Sequence, residues 1–153
     1  MPAIRSRVPA GWSAISSQVD ELSNRIREYD SMDTTGMRKN ELLWPIFKLI
    51  HQRTRLIYES YKSGMIDKSC YVYADSMKLI DKMLIAKWKK QGSEYLCCIQ
   101  CINTNNTNFN TTCICRVPKA SLDELGDNHT TQSNKIIQCK NCGCTGCASS
   151  DRK

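Results

Sequence analysis

Nine of the ten cysteines of this 153-residue chain fall between Cys97 and Cys147. They run Cys97-Cys98-x2-Cys101, then eleven residues, Cys113-x-Cys115, then twenty-three residues, and finally Cys139-x2-Cys142-x-Cys144-x2-Cys147. Cysteines clustered at such spacings are a metal signature. A thiolate is a strong, soft zinc ligand, and Cys-x2-Cys lets two sulfurs of one tight turn reach the same ion at about 2.3 Å. Cys98 pairs with Cys101 in this way, Cys144 with Cys147, and Cys139 with Cys142. The two Cys-x-Cys spacings are read as dividing their sulfurs between ions, Cys113 from Cys115 and Cys142 from Cys144. Two separate tetrahedral sites would use eight thiolates and strand the ninth, whereas three tetrahedral zincs need twelve bonds. Nine sulfurs supply twelve when three bridge and six are terminal. The spacing therefore predicts a trinuclear zinc cluster with Cys97, Cys98, Cys101, Cys113, Cys115, Cys139, Cys142, Cys144 and Cys147 all as ligands. Such a cluster has no open position for water or substrate, so the chain is not expected to be an enzyme or to take a small-molecule substrate.

Disulfides would explain the same cysteines only in an oxidising compartment. Residues 1–9 contain no apolar run of signal-peptide length, and no segment approaches the ~18 apolar residues of a membrane span. The N-x-[ST] triplets beginning at Asn105, Asn110 and Asn128 then count only as polar loop residues. Zinc thiolates are the favoured reading. Cys70, far ahead of the cluster, is expected to be a small buried residue. His51 is expected to pack rather than ligate, and His129 to lie in a polar stretch without serving as a ligand.

These ligands need elements to position them, and the chain ahead of them reads as helical. Ile15, Val19, Leu22, Ile26 and Tyr29 alternate in steps of four and three, which makes one apolar helical stripe. Ser17 with Asp20 resembles a capping pair. Turn formers Asp33-Thr-Thr-Gly36 should end that helix. A second helix is expected from about Asn40 to Tyr61, with Pro45 forcing either a start near Leu42 or a local bend. Asp67 can cap a third helical stretch reaching to Trp88, as one helix or two, before a stop at Gly92. Trp88 is expected in the core. From Ser93 onward no helical period of useful length survives except a turn suggested by Ser121-x-x-Glu124 near Leu122 and Leu125. The asparagine-rich run 103–112 reads as a spacer. The fold class is thus a mainly α N-terminal part followed by an irregular, loop-rich zinc-cysteine cluster with little regular secondary structure. Its divisions are a basic N-terminal arm (1–12), a helical region (13–92), a zinc-cluster domain (93–148) and a C-terminal tail (149–153).

Charge separates the same two parts. Residues 1–91 carry 16 Lys/Arg against 10 Asp/Glu, and residues 92–153 carry 6 against 5. The basic excess lies ahead of the cluster, where an acidic partner such as a phosphate backbone would find it. Nine thiolates with three dications would carry a formal charge of about −3, which makes the cysteine part acidic when loaded. Lys48, Gln52, Arg53, Arg55 and Lys62 lie on the face of the second helix opposite its apolar residues. Arg5, Arg7, Arg53, Arg55, Lys87, Lys89 and Lys90 are the candidate nucleic-acid contacts.

The runs Asp81-Lys-Met-Leu-Ile-Ala-Lys-Trp-Lys-Lys90, Leu96-Cys-Cys-Ile-Gln-Cys-Ile102, Thr112-Cys-Ile-Cys-Arg-Val-Pro118 and Cys142-Gly-Cys-Thr-Gly-Cys-Ala-Ser149 resemble the bud-site selection protein 31 family, also called the G-ten family. Leu42-Leu-Trp44 and His51-Gln-Arg-Thr-Arg-Leu-Ile-Tyr58 are similar to it as well. The match spans nearly the whole chain. It departs at Pro45, at the Gly92-Ser-Glu-Tyr95 join and in the asparagine-rich loop. The resemblance implies a nuclear pre-mRNA splicing factor, a monomeric, non-enzymatic subunit of the activated and catalytic spliceosome. It implies a helical N-terminal part, three zinc ions on the nine cysteines named above, and contact with small nuclear RNA and spliceosomal scaffold proteins. It assigns none of the basic residues individually.

Other function classes fit less well. A zinc-type ubiquitin ligase of the cross-braced kind needs a histidine among its Cys/His octet, where Cys115 stands here. A metallothionein-like store leaves the long helical half without a purpose. A free-standing DNA reader would show the finger pattern of two cysteines and two histidines. The alternative kept is a zinc-dependent nuclear interaction or transcription-associated protein.

Overall fold

The computed structural model describes residues 7–106, 110–126 and 138–152. Their α-helices are α1 (Ser16–Asp30), α2 (Lys39–Leu42), α3 (Trp44–Lys62), α4 (Lys68–Ser76), α5 (Lys82–Trp88) and α6 (Lys119–Gly126). The described residues form no strand, and none of their helices is long and apolar enough to cross a membrane.

The predicted stripe forms α1: Ile15 and Val19 are buried, Leu22 and Ile26 half-buried, and Tyr29 at the frayed end is exposed. The expected Ser17–Asp20 cap is corrected. A 3-10 turn at Ala10–Ala14 runs directly into α1, and Ile15 occupies the cap position without a side-chain bond. Pro45 divides the second helical stretch into α2 and α3. It sits in the first turn of α3, where its missing N–H has no intrahelical partner to lose. The carbonyl of Ser60 accepts from Met65 and Ile66, and Gly64, with φ +79°, supplies the left-handed turn that lets the chain double back.

The stretch from Asp67 to Trp88 is two helices. Asp67 accepts from the Cys70 amide at 3.0 Å and caps α4; that bond holds its carboxyl below the usual carboxylate range. Lys78, at φ 54°, stands in the turn that interrupts the helical run, and Asp81 caps α5 by accepting from the Leu84 amide at 3.0 Å.

Two apolar clusters result. The first joins Trp12, Ile15 and Val19 to Ile57, Ile66, Cys70 and Ala74, with Trp12 meeting Tyr73 edge to face at 5.1 Å. The second joins Leu84, Ile85, Trp88 and Leu96 to the buried cysteines, with Phe47 and Tyr58 packed against it. Helix α3 serves both, and Ile80 touches both. At the seam Thr54 is fully buried, and its hydroxyl accepts from the Asp81 amide at 3.2 Å.

The turn near Leu122 and Leu125 exists as α6 but begins at Lys119, ahead of Ser121. Its first amide donates to Asp151 at 3.1 Å, so the partner comes from the C-terminal end of the chain rather than from Ser121. Arg5 and His129 lie outside the described residues.

Thr54→Val keeps the shape at the seam and removes the acceptor of the Asp81 amide. Leaving that donor unpaired is expected to cost about 1–3 kcal/mol, measured as a lower denaturation midpoint at unchanged m-value. Val72→Ala, on the exposed face of α4, should stay within about 0.5 kcal/mol of the parent.

Candidate metal centre

After α5 the backbone is led by hydrogen bonds rather than by regular structure. The Trp88 indole N–H donates to the Leu96 carbonyl at 2.9 Å, which delivers Cys97 and Cys98 to the second cluster. A 3-10 turn at Ile99–Ile102 brings in Cys101. The Cys113 amide then donates to the Cys101 carbonyl at 2.9 Å, Cys147 to Cys115 at 2.8 Å, and Cys139 to Cys144 at 2.9 Å. Three sequence-distant segments are thereby laced together at their cysteines.

All nine sulfurs meet. Cys97, Cys98, Cys101 and Cys142 form one quartet within 4.8 Å of one another, Cys97, Cys115, Cys144 and Cys147 a second, and Cys101, Cys113, Cys115 and Cys139 a third. Cys139, Cys142 and Cys144 form an overlapping trio. The nearest Sγ···Sγ separations, among them Cys97–Cys101 and Cys101–Cys139 at 3.3 Å, Cys113–Cys139 at 3.4 Å, Cys115–Cys147 at 3.5 Å and Cys97–Cys115 at 3.8 Å, exclude disulfides of about 2.05 Å. A zinc tetrahedron with bonds of about 2.3 Å has sulfur–sulfur edges of about 3.8 Å, so the donor set fits zinc in type and in spacing.

The separation of Cys113 from Cys115 is corrected: both belong to the third quartet. Side chains at i and i+2 of an extended segment share a face, and the turn at Ile114–Arg116 keeps both sulfurs on the inner side. Cys142 and Cys144 do fall in different quartets, turned apart at Gly143, although the trio also holds them together.

Seven of the nine are buried; Cys97 and Cys144 are partly exposed. Both line a groove of about 640 Å³ between α3 and residues 142–147. Hydrogen bonding with Cys101 pushes Cys97 up and holds Cys98 and Cys139 down, while burial raises Cys113 to about 12. Divalent ions would displace the thiol protons on binding.

Several positioning residues carry no metal-ligand signal in the sequence. The Trp44 indole N–H donates to the Lys140 carbonyl at 3.0 Å. Gly143 has φ +67°, and a Cβ there would lie 2.6 Å from the Trp44 ring. Only glycine suits both the backbone conformation and the close approach. The Asn141 amide donates to the Cys139 sulfur at 3.3 Å. Arg116 donates to the carbonyls of Cys147 and Gly92, each at 2.6 Å.

The candidate nucleic-acid residues are dispersed. Arg7 is exposed at the start of the described chain, near Lys68. Arg53 is half-buried and donates to the Leu79 carbonyl and the Ser23 hydroxyl, each at 3.0 Å. Arg55 pairs with Glu59 at 2.6 Å, donates to the Glu94 carbonyl at 2.8 Å and lies over the Trp88 ring at 4.7 Å. Lys89 and Lys90 are exposed and Lys87 partly so. His51 packs on the edge of Trp88 at 5.2 Å, and Trp88 itself is core.

Comparison with known proteins agrees with the family suggested by the motifs. The family model described as Pre-mRNA-splicing factor BUD31 matches residues 1–149. Protein BUD31 homolog of Danio rerio is 48% identical over 152 residues, covering 97% of this chain and 99% of its own length. Pre-mRNA-splicing factor BUD31 of Saccharomyces cerevisiae is 42% identical over 99% of this chain and all of its own length. Pre-mRNA-splicing factor cwf14 of Schizosaccharomyces pombe is 41% identical over the same shares.

Because Leu84, Ile85 and Trp88 share a core with the cysteines, chelation should disorder α5 together with the cysteine-bearing segments 96–106, 110–118 and 138–148. Amide signals of α1 and α4, in the other cluster, are expected to persist when zinc is stripped from the loaded protein with excess chelator. Simultaneous loss of all helical signal would contradict this division.

Proposed function

The chain belongs to the BUD31 family of pre-mRNA-splicing factors, and we propose that it fills that role as a non-enzymatic, zinc-built subunit of the nuclear spliceosome. The observation that carries the reading is the set of three quartets sharing Cys97, Cys101 and Cys115. Their union is the nine clustered cysteines, three bridging and six terminal, which suits three zinc ions. Each quartet already has four sulfurs, so the ions serve to fold the region rather than to activate water. With few apolar side chains after Leu96, metal–thiolate bonds supply much of the free energy that orders it.

In this role the chain would join small nuclear RNA to surrounding scaffold proteins. Arg53 and Arg55 spend donors on internal carbonyls and hold helices together. Arg7, Lys87, Lys89 and Lys90 remain the better candidates for phosphate. Lys89 and Lys90 follow α5 directly, and α5 rests on the cluster, so a loaded centre presents these cations in a fixed place.

Native mass spectrometry of the protein purified without chelator tests the metal reading, with three zinc ions expected; two would defeat the bridged arrangement. Affinity purification from nuclear extract tests the assembly. Recovery of splicing RNA is expected, and recovery of chromatin in its place would favour a transcription-associated role. For the RNA surface, Lys89→Ala with Lys90→Ala should weaken RNA binding uniformly across sequences. It should also reduce the slope of log K against log salt by about 2, near one for each phosphate no longer neutralised. An unchanged slope would remove these lysines from the interface.

A further inference from the structure

Arg116 stands where three features of the cysteine region converge. Its guanidinium donates through one terminal nitrogen to the Cys147 carbonyl at 2.6 Å, and the same nitrogen lies 3.6 Å from the Cys147 sulfur. The other terminal nitrogen donates to the Gly92 carbonyl at 2.6 Å. Cys147 is the last cysteine of the chain, and its amide donates to the Cys115 carbonyl. Gly92, at φ +81°, forms the turn by which the chain leaves α5 for the cluster. The same strap is fixed from its far side: the Gly92 amide donates to the Glu94 carboxylate at 3.0 Å, and that carboxylate accepts from the Ser149 hydroxyl at 2.5 Å.

We propose that Arg116 is a positioning residue of the metal centre. It places a permanent cation against the Cys147 thiolate and locks that ligand to the Gly92 turn. This rests on the zinc reading given above, in which Cys147 is a terminal ligand. A terminal thiolate carries more uncompensated charge than a bridging one, and nine thiolates around three dications leave the nest anionic. A guanidinium cannot lose its charge and offers a planar fork of donors. It can therefore offset the thiolate and hold two carbonyls at once, which a lysine ammonium on a flexible stem does less well. Outer partners of this kind orient a ligand and tune its hold on the metal. The arrangement also explains why the arginine follows Cys115 directly: the turn at Ile114–Arg116 sends Cys115 inward and leaves the next side chain to reach over Cys147.

The full-length protein, loaded with zinc, supplies the test. Arg116→Gln is expected to bind the same number of zinc ions at saturation. It should yield its first zinc to a chromophoric chelator about ten- to a hundredfold faster, in proportion to the ten- to hundredfold loss of metal affinity that removal of an outer partner usually brings. Timed alkylation with peptide mapping should show Cys147 as the first cysteine modified in this variant. Arg116→Lys should fall between the two, with its release rate more sensitive to salt than that of the parent. Release and alkylation order unchanged in Arg116→Gln would overturn the proposal. So would equal acceleration at all nine cysteines in both variants, which would mark a general loss of fold. A parent protein that retains no zinc would instead defeat the metal reading itself, and the parent measurement is made first for that reason.

Discussion

Eight sulfurs held at 3.3 to 3.8 Å from a neighbour, with the ninth, of Cys144, within 4.8 Å of its partners, impose the condition to which the rest of the cysteine region conforms. At that spacing the sulfurs repel if all are ionised, and they can share protons or share cations. Divalent ions would replace those protons and turn the same spacing into bonds. A region with so few apolar side chains has little else to offset its loss of conformational entropy, and the cysteines themselves make up most of its buried apolar surface.

The helices meet this condition from outside. Helix α3 is long enough to reach two apolar clusters, and it aligns the Trp12 side of the molecule with the cysteine side. Its first turn presents Trp44 to the knuckle around Gly143, and its middle presents Arg55 to Trp88 and to the strap at Glu94. Helix α5 contributes Leu84, Ile85 and Trp88 to the same interior as the sulfurs. The helical and cysteine-rich parts are therefore two ends of one packed structure, and the basic residues just beyond α5 take their position from it.

Basic residues divide by what surrounds them. Arg53 and Arg55 belong to a helix whose sequence looks like a cationic face, yet each reaches across to another segment and fills the hydrogen-bonding needs of carbonyls there. Arginine's fork suits this bridging better than lysine's single charge. Lys89 and Lys90 lie beyond the packed helix and retain their exposure. A charge tally by residue number cannot make that distinction, because it depends on which carbonyls the fold leaves within reach.

Much of this is written in local sequence. The period of Ile15, Val19, Leu22 and Ile26, the aspartate cap at Asp67, the proline at the head of α3 and the count of nine sulfurs all follow from short-range geometry and valence, and each recurs in the structure. The Ser17 and Ser121 caps are locally plausible, but α1 is entered from a preceding turn and α6 takes its partner from Asp151. The fit of Trp44 against Gly143 and the reach of Arg116 to Cys147 join residues 99 and 31 positions apart. No spacing rule relates such pairs, since their neighbourhood exists only once three loops have closed around a common centre. Sequence determined which atoms could bind metal. Tertiary structure decided which sulfurs stand together and which arginines are tied to the interior, because both depend on where distant segments come to rest.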